Sequence, residues 1–338
     1  MARKNLVNQA CANRAEVFKR FRDFVCARNG SYDYSAGGIG WTLHDSSYAV
    51  DQNTISTNDW FVIKSTGENG KEDLYFRCTY IANYIKIEGF LYWNNSTHAG
   101  VGQYNTTSNW YIIDAAVPVL WIYGNLNSIF AIARESSASS SFYPATFGKL
   151  ANTLYDDTPV TCTTSLTAGS ARTIEFGVAV PSTWKVGQKL YLRSNTSVEM
   201  ITVISISSTS ITANLAGSHA SGAKVSADLG YYVLGSNNLL GNYPVVLMNR
   251  AGTTPSNTYP FLTGPLVSYG YPETLNGDHL LSPVMLAYTG GQWYGEIDGV
   301  YGRYSTGMTA LEVYQSRDGN NYRAFTVNSG GYIAILEV

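Results

Sequence analysis

Charged residues are scarce in this chain. They make up 14% of its 338 residues, whereas about a quarter is usual in soluble domains. The 22 basic and 24 acidic residues leave a net charge of −2, so the sequence offers no broad basic field that could displace counterions from a nucleic acid. The composition therefore argues against nucleic acid as the main partner.

Long apolar segments are also missing. The longest apolar run, AAVPVLWIY, has nine residues and contains a proline, whereas a helix needs about 20 apolar residues to cross a bilayer. The opening MARKNLVNQACANR carries charge but no apolar stretch of the kind found in secretory signals. We expect a protein that is made and kept in solution, without membrane insertion.

Patterns that bind metals are absent as well. The four cysteines, Cys11, Cys26, Cys78 and Cys162, show no CxxC spacing and no histidine at the spacing of a zinc site. Cysteines of this kind are typically buried and reduced in proteins of reducing compartments. We therefore expect free thiols, and neither a metal nor a cofactor.

Aromatic residues and glycines, by contrast, are abundant, with 26 Tyr and 32 Gly. From Trp41 onward, short runs rich in aromatic and β-branched residues alternate with turn sequences such as GENGK and NNSTHAG. Within YIKIEGF, Ile85 and Ile87 alternate with Lys86 and Glu88, which is typical of a strand with one face toward a core. The predicted fold is mainly β, with a main domain of the antiparallel β-sandwich type.

One helix is predicted, within residues 1–30. Apolar residues between positions 5 and 28 recur at spacings of three and four, and Asn29-Gly30 follows as a stop signal. The helix could pack across its own sheet, or it could dock a partner. In the second case the candidate contact residues are Phe18, Phe21 and Arg22.

The composition changes in the middle of the chain. From about residue 155 to residue 232 the aromatic residues give way to Thr, Ser, Val and Ile, in five or six short segments separated by turns. We predict that residues 155–232 form a small, partly closed β-barrel. This domain would be inserted between two parts of the main domain, residues 31–154 and 233–338, with its ends close together and few contacts across the boundary.

The order of several segments resembles a known group of proteins. The segments are GIGWTLHDSSY, DLYFRC, LYWNNSTHAGVGQY, VLWIYGNLNSIFAIAR, the inserted VGQKLYL and SGAKV, and the closing GEIDGVYG and NNYRAFTV. Together they resemble structural proteins of tailed-bacteriophage virions, over nearly the whole chain. The resemblance implies a location in the virion and a function in particle assembly, and it implies no catalytic residues.

Residues 85–100, IKIEGFLYWNNSTHAG, are the main candidate for a ligand site. Trp93 could stack on a sugar, with Asn94 and His98 as polar contacts. In the alternative, which we favour, the segment is a hairpin corner in which Asn94 and Asn95 shape the turn, Gly100 relieves it and Trp93 packs inward.

Reactive side chains elsewhere form no recognisable catalytic motif. They are His44-Asp45-Ser46, Asp278-His279, and the pair Glu296 and Asp298. The first group lacks the GxSxG context of a nucleophile elbow. The last pair would share one strand face, where calcium or glycosidase chemistry is conceivable, but such a pair between glycines is typical of a solvated hairpin. We predict that the protein is not an enzyme.

The predicted function is that of a structural subunit of a tailed-phage virion, in the tail, baseplate or fibre-attachment region. Many tyrosines with few charges favour surfaces that become buried, so we expect contacts with other virion proteins and a homo-oligomer. The alternative is a receptor-binding module of the tail tip that recognises a host surface glycan. A polysaccharide depolymerase is a third hypothesis, which the low Asp and Glu content disfavours.

Overall fold

A computed structural model describes residues 3–48, 54–70, 72–112, 118–135, 141–151, 159–195, 197–227, 230–236, 245–248, 274–275, 278–279, 282–288, 292–304, 308–316, 319–327 and 331–337. Over these residues the fold is mainly β, with one helix and several largely antiparallel sheets, which confirms the predicted fold class. No helix in this part of the chain is long and apolar enough to cross a membrane.

The elements before the insert are β1 (Lys4–Ala10), α1 (Arg14–Val25), β2 (Thr42–Ser46), β3 (Trp60–Ser65), β4 (Leu74–Ile81), β5 (Tyr84–Asn94), β6 (Ala99–Tyr111), β7 (Val119–Gly124), β8 (Ser128–Arg134) and β9 (Phe142–Lys149). The insert contains β10 (Val160–Thr161), β11 (Gly169–Glu175), β12 (Lys189–Arg193), β13 (Val198–Ile206), β14 (Ser210–Leu215) and β15 (Lys224–Ser226). The remainder contains β16 (Tyr231–Leu234), β17 (Val245–Met248), β18 (Thr274–Leu275), β19 (Asp278–His279), β20 (Ser282–Tyr288), β21 (Gln292–Tyr304), β22 (Val313–Gln315), β23 (Asn321–Val327) and β24 (Gly331–Glu337).

The main domain is built around a central sheet with strand order β1-β7-β8-β9-β16. One face of this sheet shares a core with α1 and with the N-terminal sheet, whose order is β2-β3-β4-β5-β6. The other face shares a core with the C-terminal sheet, whose order is β17-β20-β21-β24-β23-β22. The described residues of the main domain therefore form three stacked β layers.

Burial on both faces explains the apolar run VLWIYG of β7, in which every residue is buried. Leu120 and Ile122 point into the core that contains α1, while Trp121 and Tyr123 point into the core shared with the C-terminal sheet. An antiparallel strand normally alternates apolar and polar residues because one face is solvated. This strand does not alternate, since neither of its faces meets water.

The predicted helix is wrong over its first part. Residues Lys4–Ala10 form strand β1 at the edge of the central sheet, paired antiparallel with β7. The helix begins after Asn13, whose side-chain oxygen accepts a hydrogen bond from the Glu16 amide at 2.9 Å. Asn13 ends the extended segment and caps α1, because its side chain satisfies an amide that the helix leaves unpaired.

The insert is a six-stranded sheet, ordered β10-β15-β12-β13-β14-β11, with a hydrophobic core of its own. Its two edges are joined after β10, where the Cys162 amide donates to Ala223 O at 2.7 Å and the Thr163 amide donates to Glu175 O at 2.9 Å. The sheet thus curls into a barrel-like unit, as the spacing of its short strands predicts.

The chain leaves and re-enters the main domain at adjacent points. Lys149, at the end of β9, is the register partner of Tyr231, at the start of β16. The Leu150 amide donates a hydrogen bond to Gly230 O at 2.8 Å. The insert also touches the main domain elsewhere, since Tyr191 and Val198 pack against the core that contains α1.

Candidate functional site

The hairpin of β5 and β6 ends in a turn shaped by Asn94. Its side-chain oxygen accepts hydrogen bonds from the amides of Ser96, at 2.9 Å, and Thr97, at 3.3 Å. His98 completes the turn with a φ of 51°. This is the role that the sequence predicts for Asn94, because asparagine side chains bond to backbone groups two residues on and stabilise turns.

The tip of this hairpin reaches back to the first strand of the N-terminal sheet. The Trp93 indole nitrogen donates to Asp45 Oδ2 at 2.7 Å, and His98 Nδ1 lies 2.9 Å from the same oxygen. Strands β3 and β4 separate β2 from β5 in the sheet, and three strand spacings span about 14 Å in a flat sheet. The contact therefore requires the sheet to curl strongly.

A small aromatic core lies under the tip. Its buried members are Val62, Tyr75, Phe90 and Trp93, and Trp60 and Tyr92 pack against them while partly exposed. The Phe90 ring lies against Gly100, where a Cβ atom would come within 2.0 Å of ring carbon Cδ1. Trp93 itself is only 1% exposed, so it packs inward and is not a stacking platform for a ligand.

Asp45 is the electrostatic centre of this site. Burial acts to raise the pKa of the Asp45 carboxyl, but hydrogen bonds from His98, Trp93 and the Ser46 amide outweigh it and hold the pKa below its ordinary value. The pKa of the neighbouring His44 is lowered, by burial first and by the Lys64 charge second. At neutral pH the site therefore contains a carboxylate that accepts bonds from a buried indole and an exposed imidazole.

The surface of the site consists of Trp60 and His98. The His98 side chain is 57% exposed, and its ring centroid lies 5.9 Å from that of Trp60. Exposed polar residues of the turn, Asn95, Ser96 and Thr97, border the two rings. Trp60 was not predicted as a site residue, and Asp45 was considered only as part of a catalytic motif with His44 and Ser46. Neither was placed near His98, because both reach it only through the curl of the sheet.

The three candidate contact residues of the helix are buried, which corrects their assignment to an interface. Phe18, Phe21 and Arg22 are each 0% exposed. Phe21 packs edge-on against Trp110 of the N-terminal sheet and Phe147 of the central sheet. The helix fills the space between two sheets, so its apolar face packs on its own domain, the first of the two predicted alternatives.

Arg22 is buried together with a counterion. Its Nε donates to Asp23 Oδ1 at 2.7 Å, and its Nη1 donates to the Tyr48 hydroxyl at 2.9 Å. Both side chains of the ion pair are 0% exposed. A paired and hydrogen-bonded guanidinium is tolerated in a core, which explains why a charge occurs on the apolar face of α1.

The paired carboxylates of β21 lie on one partly exposed face, as predicted, but Asp298 has a structural role. Its Oδ2 accepts hydrogen bonds from Arg3, at 2.8 Å, and from Asn125, at 2.9 Å. These bonds connect the N-terminal segment and the central sheet to the C-terminal sheet. The side chains of Asp278 and His279 lie outside the part that the structure describes.

No group of three or more His, Cys, Asp or Glu side chains among the described residues could hold a metal ion. The four cysteines are free thiols. Burial raises the thiol pKa of Cys11, Cys26 and Cys162 to about 12, with charged neighbours of Cys11 and Cys26 contributing less. Such thiols are poor nucleophiles at neutral pH.

A second histidine cluster lies in the insert and was not predicted. His219 Nε2 is 3.0 Å from Glu199 Oε1, and His219 Nδ1 is 3.2 Å from Ser194 Oγ and 3.3 Å from Ser197 Oγ. The residue types are those of a hydrolytic triad. The His219 side chain is 0% exposed, however, so the cluster fastens Ser194 and Ser197, between β12 and β13, to the loop that precedes β15.

Strand β13 carries three exposed apolar residues, Met200, Ile204 and Ile206, which we define as the apolar row. Their exposed fractions are 56%, 44% and 37%. The intervening Ile201 and Val203 point into the core of the insert. Val178 and Val186 are also exposed. The segment that follows Val186 is hydrogen-bonded to Val203 of β13, and the segment that follows Val178 is hydrogen-bonded to Ser208 in the turn after β13.

No protein-family model matches the chain, and no curated protein matches it. The geometry and the sequence are therefore the basis for any functional conclusion.

Proposed function

We propose that this protein is a structural subunit of a tailed-phage virion, in the tail, baseplate or fibre-attachment region. It acts by assembly with other virion proteins, including further copies of itself. The order of sequence segments that resembles virion structural proteins supports the proposal. So do the low charge and the layered β architecture, which presents broad sheet faces and carries a separate barrel-like unit.

The apolar row on β13 is the observation that carries the proposal. Scattered apolar residues are normal on a protein surface, but several in one stretch of strand, with two more in neighbouring segments, favour burial against another protein. Full burial of one such side chain contributes about 1.5–3 kcal/mol. Burial of the row would thus supply several kcal/mol of assembly energy from strand β13 of the insert.

Two measurements test the proposal. Mass spectrometry of purified particles should detect the chain at a fixed copy number per virion.

The double variant Met200→Asp with Ile204→Asp should remain folded, because both positions are exposed, yet should be lost from the particles. Val313→Asp is the matched control, since Val313 is 41% exposed but lies on the C-terminal sheet. Normal incorporation of the double variant would refute the role of the row, and absence of the chain from particles would refute the function.

Recognition of a host glycan is a second candidate, favoured by the partly exposed Trp60 next to the exposed His98. A sugar face can stack on an exposed indole, and imidazole and amide groups can bond its hydroxyls. Wild-type protein should then bind a defined set of oligosaccharides on a glycan array, and His98→Ala should weaken that binding at least tenfold. Binding that is unchanged in His98→Ala, or no binding by the wild type, would reject this candidate.

A further inference from the structure

Arg193, on β12 of the insert, is buried without a partner. The residue is 4% exposed, and its Nε, Nη1 and Nη2 atoms have no hydrogen-bond acceptor among the described residues. A guanidinium stays charged at all ordinary pH values and carries five donor hydrogens. Burial of such a group without a counterion is unfavourable, and unpaired buried groups in native proteins point to an ion or a water that pairs with them.

The guanidinium lies on the face of the insert sheet that meets the main domain. Leu192, the neighbour of Arg193 in β12, belongs to the core of the insert, so Arg193 points away from that core. Across the sheet, Arg193 is in register with Lys224 of β15, and Tyr191 is in register with Ser226. Ser226 Oγ is also buried and has no hydrogen-bond partner within the described part of the chain. Two unpaired polar groups therefore occur on the same face.

Two tyrosines of the main domain lie close to Arg193. Burial raises the pKa of Tyr231 well above its ordinary value, and the Arg193 charge acts in the opposite direction. Burial is also the main cause of the raised pKa of Tyr75, and the Arg193 charge is a weaker influence that lowers this pKa. Tyr191, on the same face of β12, packs against the core that contains α1, and Lys224, the register partner of Arg193, pairs with Asp73. Arg193 therefore faces the main domain across its junction with the insert.

The carboxylates at this junction already have partners. Glu72 accepts hydrogen bonds from Lys149 at 2.6 Å, Tyr231 at 2.6 Å and Asn69 at 2.9 Å. Asp73 pairs with Lys224 and, at 3.9 Å, with Lys64. Three lysines already pair with these two carboxylates, so neither carboxylate is left to neutralise Arg193. The charge of Arg193 and the unpaired donors both call for an anion.

We propose that the junction between the insert and the main domain is a binding site for a small oxyanion of the phosphate or carboxylate class. The planar fork of Arg193 matches two oxygens of such an anion, and Ser226 can donate to a third. Because the guanidinium has no contact with solvent, the anion enters when the insert and the main domain separate, and its binding then holds them together.

Thermal unfolding of the full chain in a titration of sodium phosphate tests the site. A ligand that binds only the folded protein raises the unfolding midpoint, however slowly it enters. The midpoint of the wild type should rise with phosphate and then saturate, whereas sodium chloride at matched ionic strength should not reproduce the rise. A parallel titration with succinate distinguishes a carboxylate ligand from a phosphate ligand.

Arg193→Met retains the length of the side chain and removes the charge, so the anion-dependent rise should disappear. In buffer without oxyanions this variant should be at least as stable as the wild type, because an unpaired buried charge is removed. The exposed Arg172 of β11 provides the control, and Arg172→Met should keep the full rise. Ser226→Ala should reduce the rise.

If Arg193→Met does not fold, equilibrium dialysis of the wild type and of Ser226→Ala against phosphate replaces the melts. Saturable binding near one anion per chain, weakened in Ser226→Ala, supports the site. A rise of equal size in Arg193→Met, or no saturable effect of either oxyanion on the wild type, would overturn the proposal.

Discussion

Asp45 on β2 accepts a hydrogen bond of 2.7 Å from the indole of Trp93 on β5, although two strands lie between β2 and β5 in the sheet. The same carboxylate oxygen is 2.9 Å from His98 Nδ1. One acidic side chain thus holds the tip of the long hairpin over the aromatic core beneath it. The contact holds His98 close to Asp45, and the His98 ring lies beside the partly exposed ring of Trp60.

Removal of the Asp45 carboxylate should destabilise the protein. Asp45→Ala leaves the buried Trp93 N–H without an acceptor, which costs about 1–3 kcal/mol. Urea unfolding, monitored by tryptophan fluorescence, should show that the free energy of unfolding falls by an amount in this range. Asp33→Ala is the control, because Asp33 is an exposed acid that bonds only to the nearby Ser35. Equal unfolding midpoints for Asp45→Ala and the wild type would show that the contact is not stabilising.

The same carboxyl predicts a dependence of stability on pH. Burial acts to raise the Asp45 pKa, but bonds from His98 and Trp93 outweigh it, so the folded pKa lies below the ordinary value of 3.8. A depressed folded pKa gives stability that is complete above the unfolded pKa and is lost as pH falls through the folded pKa. Above about pH 4 the wild type should therefore have a larger free energy of unfolding than Asp45→Asn, and this difference should shrink as the pH falls further. Urea unfolding of both proteins from pH 6 to pH 2.5 tests this. A constant difference in their unfolding free energies would contradict a lowered pKa of Asp45 in the folded protein.

Gly100 should tolerate no side chain. A Cβ atom at this position would lie 2.0 Å from Phe90 Cδ1, and the ring would have to move within the small aromatic core. Overpacking of this kind costs about 1–3 kcal/mol. Gly37→Ala is the matched control, because an added Cβ there meets nothing within 4 Å, and its effect should stay within about 0.5 kcal/mol. Thermal unfolding of both variants gives the comparison.

Asp23 should be among the most sensitive acidic residues of the described chain. Asp23→Ala leaves the fully buried Arg22 guanidinium without its counterion, a change that costs about 3–5 kcal/mol. The double variant Arg22→Met with Asp23→Leu removes both charges and should be more stable than Asp23→Ala. Urea unfolding midpoints would show this order, and the reverse order would contradict the assignment of the loss in Asp23→Ala to the unpaired Arg22 charge.

The insert should fold without the main domain. Residues 159–227 contain their own hydrophobic core, and Leu150 and Gly230 are directly hydrogen-bonded where the chain leaves and returns. Replacement of residues 152–229 by a short Gly-Ser linker should leave a folded main domain, somewhat destabilised by the loss of contacts with Tyr191 and Val198. Circular dichroism and separate melts of the two pieces test this. Aggregation of the deletion variant would mean that the insert supports the outer sheets.

Local sequence patterns by themselves determined the β character of the chain and its turns. Alternation in YIKIEGF, the asparagines of the β5–β6 turn and the change of composition in the middle of the chain all report interactions between near neighbours. For the same reason the sequence predicted that Asn94 would shape a turn and that Glu296 and Asp298 would share a strand face. It also predicted an amphipathic helix, and Arg14–Val25 is helical.

Only the tertiary structure decided which face each element buries and what it pairs with. Residues Lys4–Ala10 became a strand because β7 offered an open edge, and Phe18, Phe21 and Arg22 became core residues because two sheets close around the helix. Asp45 became a site residue because the sheet curls until β2 meets Trp93. These contacts join residues tens of positions apart or more, and the free energy that selects them comes from packing between layers, which periodicity along the chain does not encode.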